Sequence, residues 1–293
     1  MSRVHAFAVN QMPVDWSGWG LCTRFQINDI SVYNVRKLSN NVGFLYVAVS
    51  SGLNTPVKLT CRDCSLAELC LPRVLSPDDL KQFETMVDQR PAMARGNFLY
   101  QTGDVFGGLY AVKSGSFKTT ISAFDGEDQI TGFYLPGELF GFDGFDDNHS
   151  CSAVALEHSS VCELPLNSID QLAVKIPNLR RELDRLMARE ITTDQSMLLQ
   201  LSRRTAEQRL AAFLVSLSTR FRQRGFSGTE FRLSMSRHDI ANYLGLAAET
   251  VSRLFKRFKE NHLASVNGRT IIIQDFEALH RQVHGSGGQK IPA

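Results

Sequence analysis

Apolar and polar positions fall into distinct regimes along the chain. Residues 1–55 show no clear period, only short apolar runs (43–50 for example) mixed with Asn, Ser and Gly. They are expected to form a poorly ordered extension. A short helix is expected to open at Ser76, which can cap it with Pro77 in the first helical position. From about Ala94 to Leu166 short apolar runs alternate with glycines such as Gly103, Gly115, Gly126 and Gly137. Many short strands divided by turns, 109–112, 117–122 and 129–135 among them, indicate an all-β unit, and a jelly roll fits best.

Beyond Pro177 the pattern becomes helical, with Asn178 as a candidate cap and no Gly or Pro until about Leu201. A second helix is expected from about Thr205 to Phe221. On the first of these helices Met187, Ile191, Asp194, Leu198 and Leu201 recur at alternating steps of four and three. So narrow a stripe suits a partner helix in a coiled-coil seam, although an ordinary core helix is the plainer alternative. Asp194 is the odd member, because on a symmetric seam its carboxylate would face its own copy.

The clearest pattern lies further on. Ile240, Ala241 and Leu244 make the apolar face of a short helix, Gly245 supplies a tight turn, and Leu246 packs into the corner. Val251, Leu254, Phe255 and Phe258 then form the apolar back of a second helix, leaving Glu249, Ser252, Arg253, Lys256 and Arg257 outward. This is the layout of a helix-turn-helix whose second helix enters the DNA major groove. Arginine can pair bidentately with guanine, glutamate can accept from cytosine, and serine serves bases or phosphates. Two short apolar runs around Asn267-Gly268 add a β-hairpin, making the motif winged.

Composition changes this picture little. At 293 residues, 43% of them hydrophobic, the chain is long enough for about two domains with proper cores, and its net charge of +2 is nearly neutral. No apolar run is long enough to span a bilayer and no secretory signal is evident, so no membrane partner and a cytoplasmic location are expected. The cysteines matter more. Cys61, Cys64 and Cys70 form a C-x2-C-x5-C run, while Cys22, Cys151 and Cys162 are scattered. Clustered thiols in a reducing compartment point to metal or redox chemistry rather than a disulfide framework. Three thiolates leave a zinc or iron–sulfur site one ligand short. Cys162, Cys151 and Cys22 are the candidates, and spacing does not choose between the two metals.

Several segments together resemble the FNR branch of the CRP/FNR regulators: Cys61-x2-Cys64-x5-Cys70-Leu71-Pro72, Ile130-Thr131-Gly132-Phe133, Gly141-Phe142-Asp143, Val161-Cys162-Glu163 and Glu249-x2-Ser252-Arg253. The likeness runs from about Leu59 to Val283. It implies that Cys61, Cys64, Cys70 and Cys162 hold an oxygen-labile 4Fe-4S cluster, leaving Cys22 and Cys151 without a ligand role. It also implies a homodimer that binds a TTGAT-like palindrome while the cluster is intact, read by Glu249, Ser252 and Arg253. RNA polymerase would be contacted from surface loops, such as that around Phe124-Asp125-Gly126. The fold implied is α+β. Residues 56–174 carry the cysteine segment and a jelly-roll, cyclic-nucleotide-binding-like sensor domain, 175–203 a long dimerisation helix, 204–284 a winged helix-turn-helix, and 285–293 a flexible tail.

Other functions fit less well. A cyclic-nucleotide regulator needs an arginine for the phosphate, and after Gly137-Glu138-Leu139 the loop offers Asp146 and Asp147 instead, so no cyclic nucleotide is expected. A jelly-roll metalloenzyme needs clustered histidines, and the β region has only His149 and His158. An enzyme is therefore not expected. A DNA-binding regulator with structural zinc remains the alternative.

Overall fold

The computed structural model describes residues 60–122, 126–145 and 147–284, together with the backbone of three short strands nearer the N-terminus. Those strands, β1 (Arg24–Ile27), β2 (Ile30–Asn34) and β3 (Leu45–Ala48), form an antiparallel meander. They belong to a unit, Met1–Lys58, separate from Leu59–Ala293. The extension expected to be poorly ordered over 1–55 thus lies mostly outside the described residues, and what is described of it is strand. Cys22 and the expected tail 285–293 also lie outside them.

The second unit opens with two 3-10 turns, Ala67–Leu69 and Leu71–Val74, followed by α1 (Pro77–Met86). The Ser76 side chain caps α1, accepting from the Asp79 N–H, with Pro77 at the first helical position as expected. Eight strands follow: β4 (Asp88–Gln89), β5 (Phe98–Tyr100), β6 (Gly108–Ser114), β7 (Phe117–Ser122), β8 (Asp128–Tyr134), β9 (Leu139–Phe140), β10 (Ser152–Ala155) and β11 (Ser160–Pro165). They make two four-stranded antiparallel sheets, ordered β5-β10-β7-β8 and β4-β11-β6-β9. The jelly roll inferred from the glycine punctuation is present. Tyr100, Tyr110, Phe117 and Phe140 fill one part of its interior. A second cluster joins Leu71 and Phe83 to Leu109 and Leu164.

The helical region differs from expectation in two respects. A helix, α2 (Leu166–Lys175), precedes the long one and buries Ile169 and Leu172. The long helix, α3 (Pro177–Arg203), starts at Pro177 itself, with Ile176 as a cap residue lacking a side-chain bond, so Asn178 is not its cap. Proline fits there because the first N–H of a helix has no intrahelical acceptor. Next comes α4 (Ala206–Gln223), opened by a capping box between Thr205 and Gln208.

The C-terminal domain contains β12 (Glu230–Arg232), α5 (Arg237–Leu244), α6 (Ala248–Glu260), β13 (Ala264–Asn267), β14 (Thr270–Ile273) and α7 (Phe276–His284). Pairing of Asn267 with Thr270 makes Gly268 and Arg269 the hairpin loop, one residue later than the Asn-Gly reading. Gly268 has φ +59 and its neighbours are not left-handed, which matches a type II′ turn with glycine first. The wing sheet has the order β12-β14-β13. The core of this domain extends to Ile130, Phe133 and Leu135 of the roll.

Candidate metal centre and nucleic-acid interface

Cys61, Cys64 and Cys70 sit on a chain of tight turns. The Cys64 N–H donates to the Cys61 carbonyl (3.3 Å), that of Ala67 to Cys64 (3.0 Å) and that of Cys70 to Leu66 (3.0 Å). Leu71 and Pro72 anchor the end of this loop in the core. Cys162 comes from the middle of β11, where it pairs with Ala111 of β6 and Gln89 of β4. All four are half-buried thiols rather than disulfides. They line one small apolar pocket, floored by Phe83, Val87 and Leu164 and bounded by Gly137. Burial pushes the Cys70 thiol up to about 12; a backbone hydrogen bond from Leu71 eases it, and the proximity of Cys162, Cys61 and Cys64 raises it again. Three thiols from one loop and a fourth from a distant strand therefore share one electrostatic environment.

Among the described residues no three His, Cys, Asp or Glu side chains converge closely enough to hold a single metal ion. The thiols surround a space instead. An all-thiol donor set around an apolar pocket fits an iron–sulfur group, whose ligands are cysteine thiolates and which separates them more widely than one tetrahedral ion would. Cys151 lies apart, buried in the roll, where its thiol is 3.9 Å from the Tyr100 hydroxyl.

At the opposite end, α5 is capped by a reciprocal box between Ser236 and Asp239 and ends at Gly245 in the left-handed region. A glycine is suited there because φ +60 costs it nothing. The expected backs of the helices are all buried: Ile240, Ala241 and Leu244 on α5, and Val251, Leu254, Phe255 and Phe258 on α6. Glu249, Ser252, Arg253, Lys256 and Arg257 are all exposed on α6. Arg257 also donates to Glu207 of α4 at 3.1 Å. Sequence reasoning missed Arg209, whose guanidinium donates to the carbonyls of Leu201, Arg204 and Leu244. It staples the helix-turn-helix to the junction of α3 and α4.

Along α3 the seam residues divide. Ile191 is 58% exposed and Leu198 69%. Asp194 is exposed as well, while Met187 and Leu201 are half-buried, and Leu201 lies against Gly245. The first turns of the same helix bury Leu179, Glu182 and Leu183 in their own protomer. Partial desolvation raises the Asp194 carboxyl above its ordinary value. Glu190, one turn earlier, is raised by burial and by the neighbouring Asp194, although it accepts from the Tyr134 hydroxyl at 2.6 Å.

A β-roll followed by a long helix and a winged helix-turn-helix defines a DNA-binding regulator, and the comparisons agree. Residues 208–282 match a Crp-like helix-turn-helix domain and residues 92–175 a cyclic nucleotide-binding domain. The chain is 51% identical to the transcriptional activator protein Anr of Pseudomonas protegens over 230 residues, covering 76% of this chain and 94% of that one. It is 47% identical to the fumarate and nitrate reduction regulatory protein of Escherichia coli over 220 residues, covering 75% and 88%. Among solved structures, FixK2 from Bradyrhizobium japonicum superposes with a TM-score of 0.63 at 27% identity, covering 69% of this chain and 99% of that one. The chain belongs to the Anr/FNR family of CRP/FNR transcription regulators and is not an enzyme.

Proposed function

We propose that this regulator responds to oxygen through a 4Fe-4S cluster held by Cys61, Cys64, Cys70 and Cys162, and binds DNA as a homodimer while the cluster is intact. The observation that carries the reading is the shared pocket: a loop and a distant strand bring four thiols around one apolar space. When bound, such a cluster supplies an oxygen-labile cross-link between thiolates.

The chain's own residues do the rest. The loop seats Leu71 and Pro72 in the core beside α1, and Arg73, directly after them, makes an ion pair with the buried Glu182 of α3. Order in the cysteine loop therefore bears on the helix that carries Ile191 and Leu198. Two copies of α3 packed along Met187, Ile191, Asp194, Leu198 and Leu201 would cover those exposed apolar side chains. Facing Asp194 carboxylates oppose that pairing, so the dimer forms only where other contacts offset the repulsion. Two recognition helices then dock one helical turn apart on a TTGAT-like palindrome, with Glu249, Ser252 and Arg253 on base edges. Lys256 and Arg257 serve the backbone. Activation follows from contact with RNA polymerase; of the loop assigned to it, Phe124 and Asp125 lie outside the described residues.

After Gly137-Glu138-Leu139 the loop carries Asp146 and Asp147 and no arginine for a cyclic phosphate, which supports reading the signal at the cysteines rather than from a cyclic nucleotide. The regulator is proposed to act in the cytoplasm, and among the described residues no helix is long and apolar enough to cross a membrane.

An anaerobic absorption spectrum with iron, sulfide and zinc analysis tests the reading. A broad visible band, about four irons per chain and bleaching in air are expected. Stoichiometric zinc in a colourless, air-indifferent protein would overturn the sensor assignment and leave a zinc-bearing regulator.

A further inference from the structure

One turn of the roll touches both the cysteine pocket and the DNA-binding domain. Between β8 and β9 the chain runs Leu135-Pro136-Gly137-Glu138. Gly137 lines the cysteine pocket in a left-handed conformation, φ +86. A Cβ placed on it would lie 2.8 Å from the Cβ of Leu69, the residue before Cys70. Backbone and cysteine loop are thus in direct van der Waals contact, and only glycine permits so close an approach.

The next residue faces the other way. Glu138 accepts from Arg220, in the last turn of α4, at 2.9 and 2.5 Å and from Arg224, the residue that caps α4, at 2.6 Å. Arg220 also donates to the Phe133 carbonyl (2.6 Å) and Arg224 to that of Pro136 (2.7 Å). Four charge-assisted bonds therefore fix the end of α4 to this turn, and a fifth reaches β8. The Arg224 side chain is only 4% exposed, so without its carboxylate a desolvated cation would be stranded and would have to withdraw. The other polar ties between the roll and the C-terminal domain start elsewhere. Lys118 donates to Asp239, Asn242 bonds the backbone of Asp128 and Ile130 and accepts at its carbonyl from Gln129, and Ser116 donates to Ser234. None of these residues lines the cysteine pocket.

We propose that Glu138 is the positioning residue through which the state of the cysteine pocket sets the placement of the DNA-binding domain. A shift of Leu69 bears on Gly137 by contact, and Glu138 carries it to α4 through Arg220 and Arg224. The recognition helix α6 packs on α4 in the same core, so its placement follows. The proposal rests on the pocket being the sensor, and it adds a route that bypasses the α3 seam.

The test compares wild type, Glu138→Gln and Glu138→Asp in anaerobic, cluster-loaded form and after air exposure. Each is measured for visible absorption, for dimer mass by sedimentation, and for affinity toward a duplex carrying a TTGAT-like palindrome. Glu138→Gln is expected to keep the absorption band and the dimer. Its ratio of loaded to air-exposed DNA affinity should fall at least about fivefold, the low end of ordinary coupling between sites, and Glu138→Asp should restore part of it. An unchanged ratio in Glu138→Gln would overturn the proposal. Hydrogen exchange of wild type reads the same clasp without any substitution. Protection over 220–224 should drop on air exposure, and constant protection there would also overturn the proposal. A wild type with neither band nor air response would sink the sensor reading itself, a result separable from failure of the clasp alone.

Discussion

The two ends of this regulator are held together by different means. The recognition helix α6 is fixed by its own apolar back: Val251, Leu254, Phe255 and Phe258 are buried in the C-terminal core, and the Arg237 guanidinium stacks 3.9 Å over Phe255. Its polar face therefore stands ready whatever the signal. The cysteine segment from Cys61 to Cys70 has only 3-10 turns and no fully buried side chain before Leu71. The reading helix is preformed, whereas under the proposed function the cysteine segment takes its order from the bound cluster. Control must then act on how the DNA-binding parts are placed relative to each other and to the roll, rather than on whether the reading helix folds.

The largest effect should come from breaking the conditional end. In Cys64→Ala the visible absorption band and the air-sensitive DNA binding should both disappear, with the far-UV circular dichroism of the chain retained. A variant that keeps the band would remove Cys64 from the ligand set. At the preformed end the corresponding blow is structural. Phe258 is fully buried, and Phe258→Ala should lower stability by about 3–5 kcal/mol, measured by denaturant unfolding, while leaving cluster colour intact. Loss of colour there would show the two ends to be one cooperative unit.

A smaller effect separates reading from folding. Arg253 is exposed on α6, so Arg253→Ala should leave unfolding unchanged. It should weaken binding to the palindrome by about 1–3 kcal/mol if it pairs bidentately with guanine. Equal loss on specific and random duplexes would reduce Arg253 to a phosphate contact.

The same contrast explains what the sequence made legible. The helix-turn-helix could be located because its signals are local: Gly245 at the turn, and buried positions that recur at helical spacing from Ile240 to Phe258. The roll was visible in its glycines for the same reason. The third wing strand β12, of three residues, carries no period to detect. Helix α2 follows β11 with no Gly between them, and so was absorbed into its neighbours. The site was less legible. C-x2-C-x5-C marks three thiols, but nothing local brings Cys162 to them, and only the resemblance to a family named it. Arg209 and the pairing of Glu138 with Arg220 and Arg224 join residues distant in sequence. Charged residues so far apart in sequence carry no local sign that they pair.

The smallest effect concerns the α3 seam, where exposure and charge work against each other. Ile191 and Leu198 favour covering, whereas Asp194 opposes it. Asp194→Ala should tighten self-association of the air-exposed protein by on the order of 1 kcal/mol at low salt, and less as salt screens the pair. The pH dependence has a definite sign. The Asp194 and Glu190 carboxyls are both raised above their ordinary values, so they take up protons earlier than exposed carboxyls as pH falls. Neutralising Asp194 removes repulsion along the seam, and association should strengthen as pH drops toward and through its raised value and weaken as it rises above it. In Asp194→Ala this part of the pH dependence should vanish. Sedimentation across that range would decide it. An identical slope in wild type and variant would mean that the Asp194 carboxylates do not face each other in the dimer, and that the apolar residues of α3 meet a different surface.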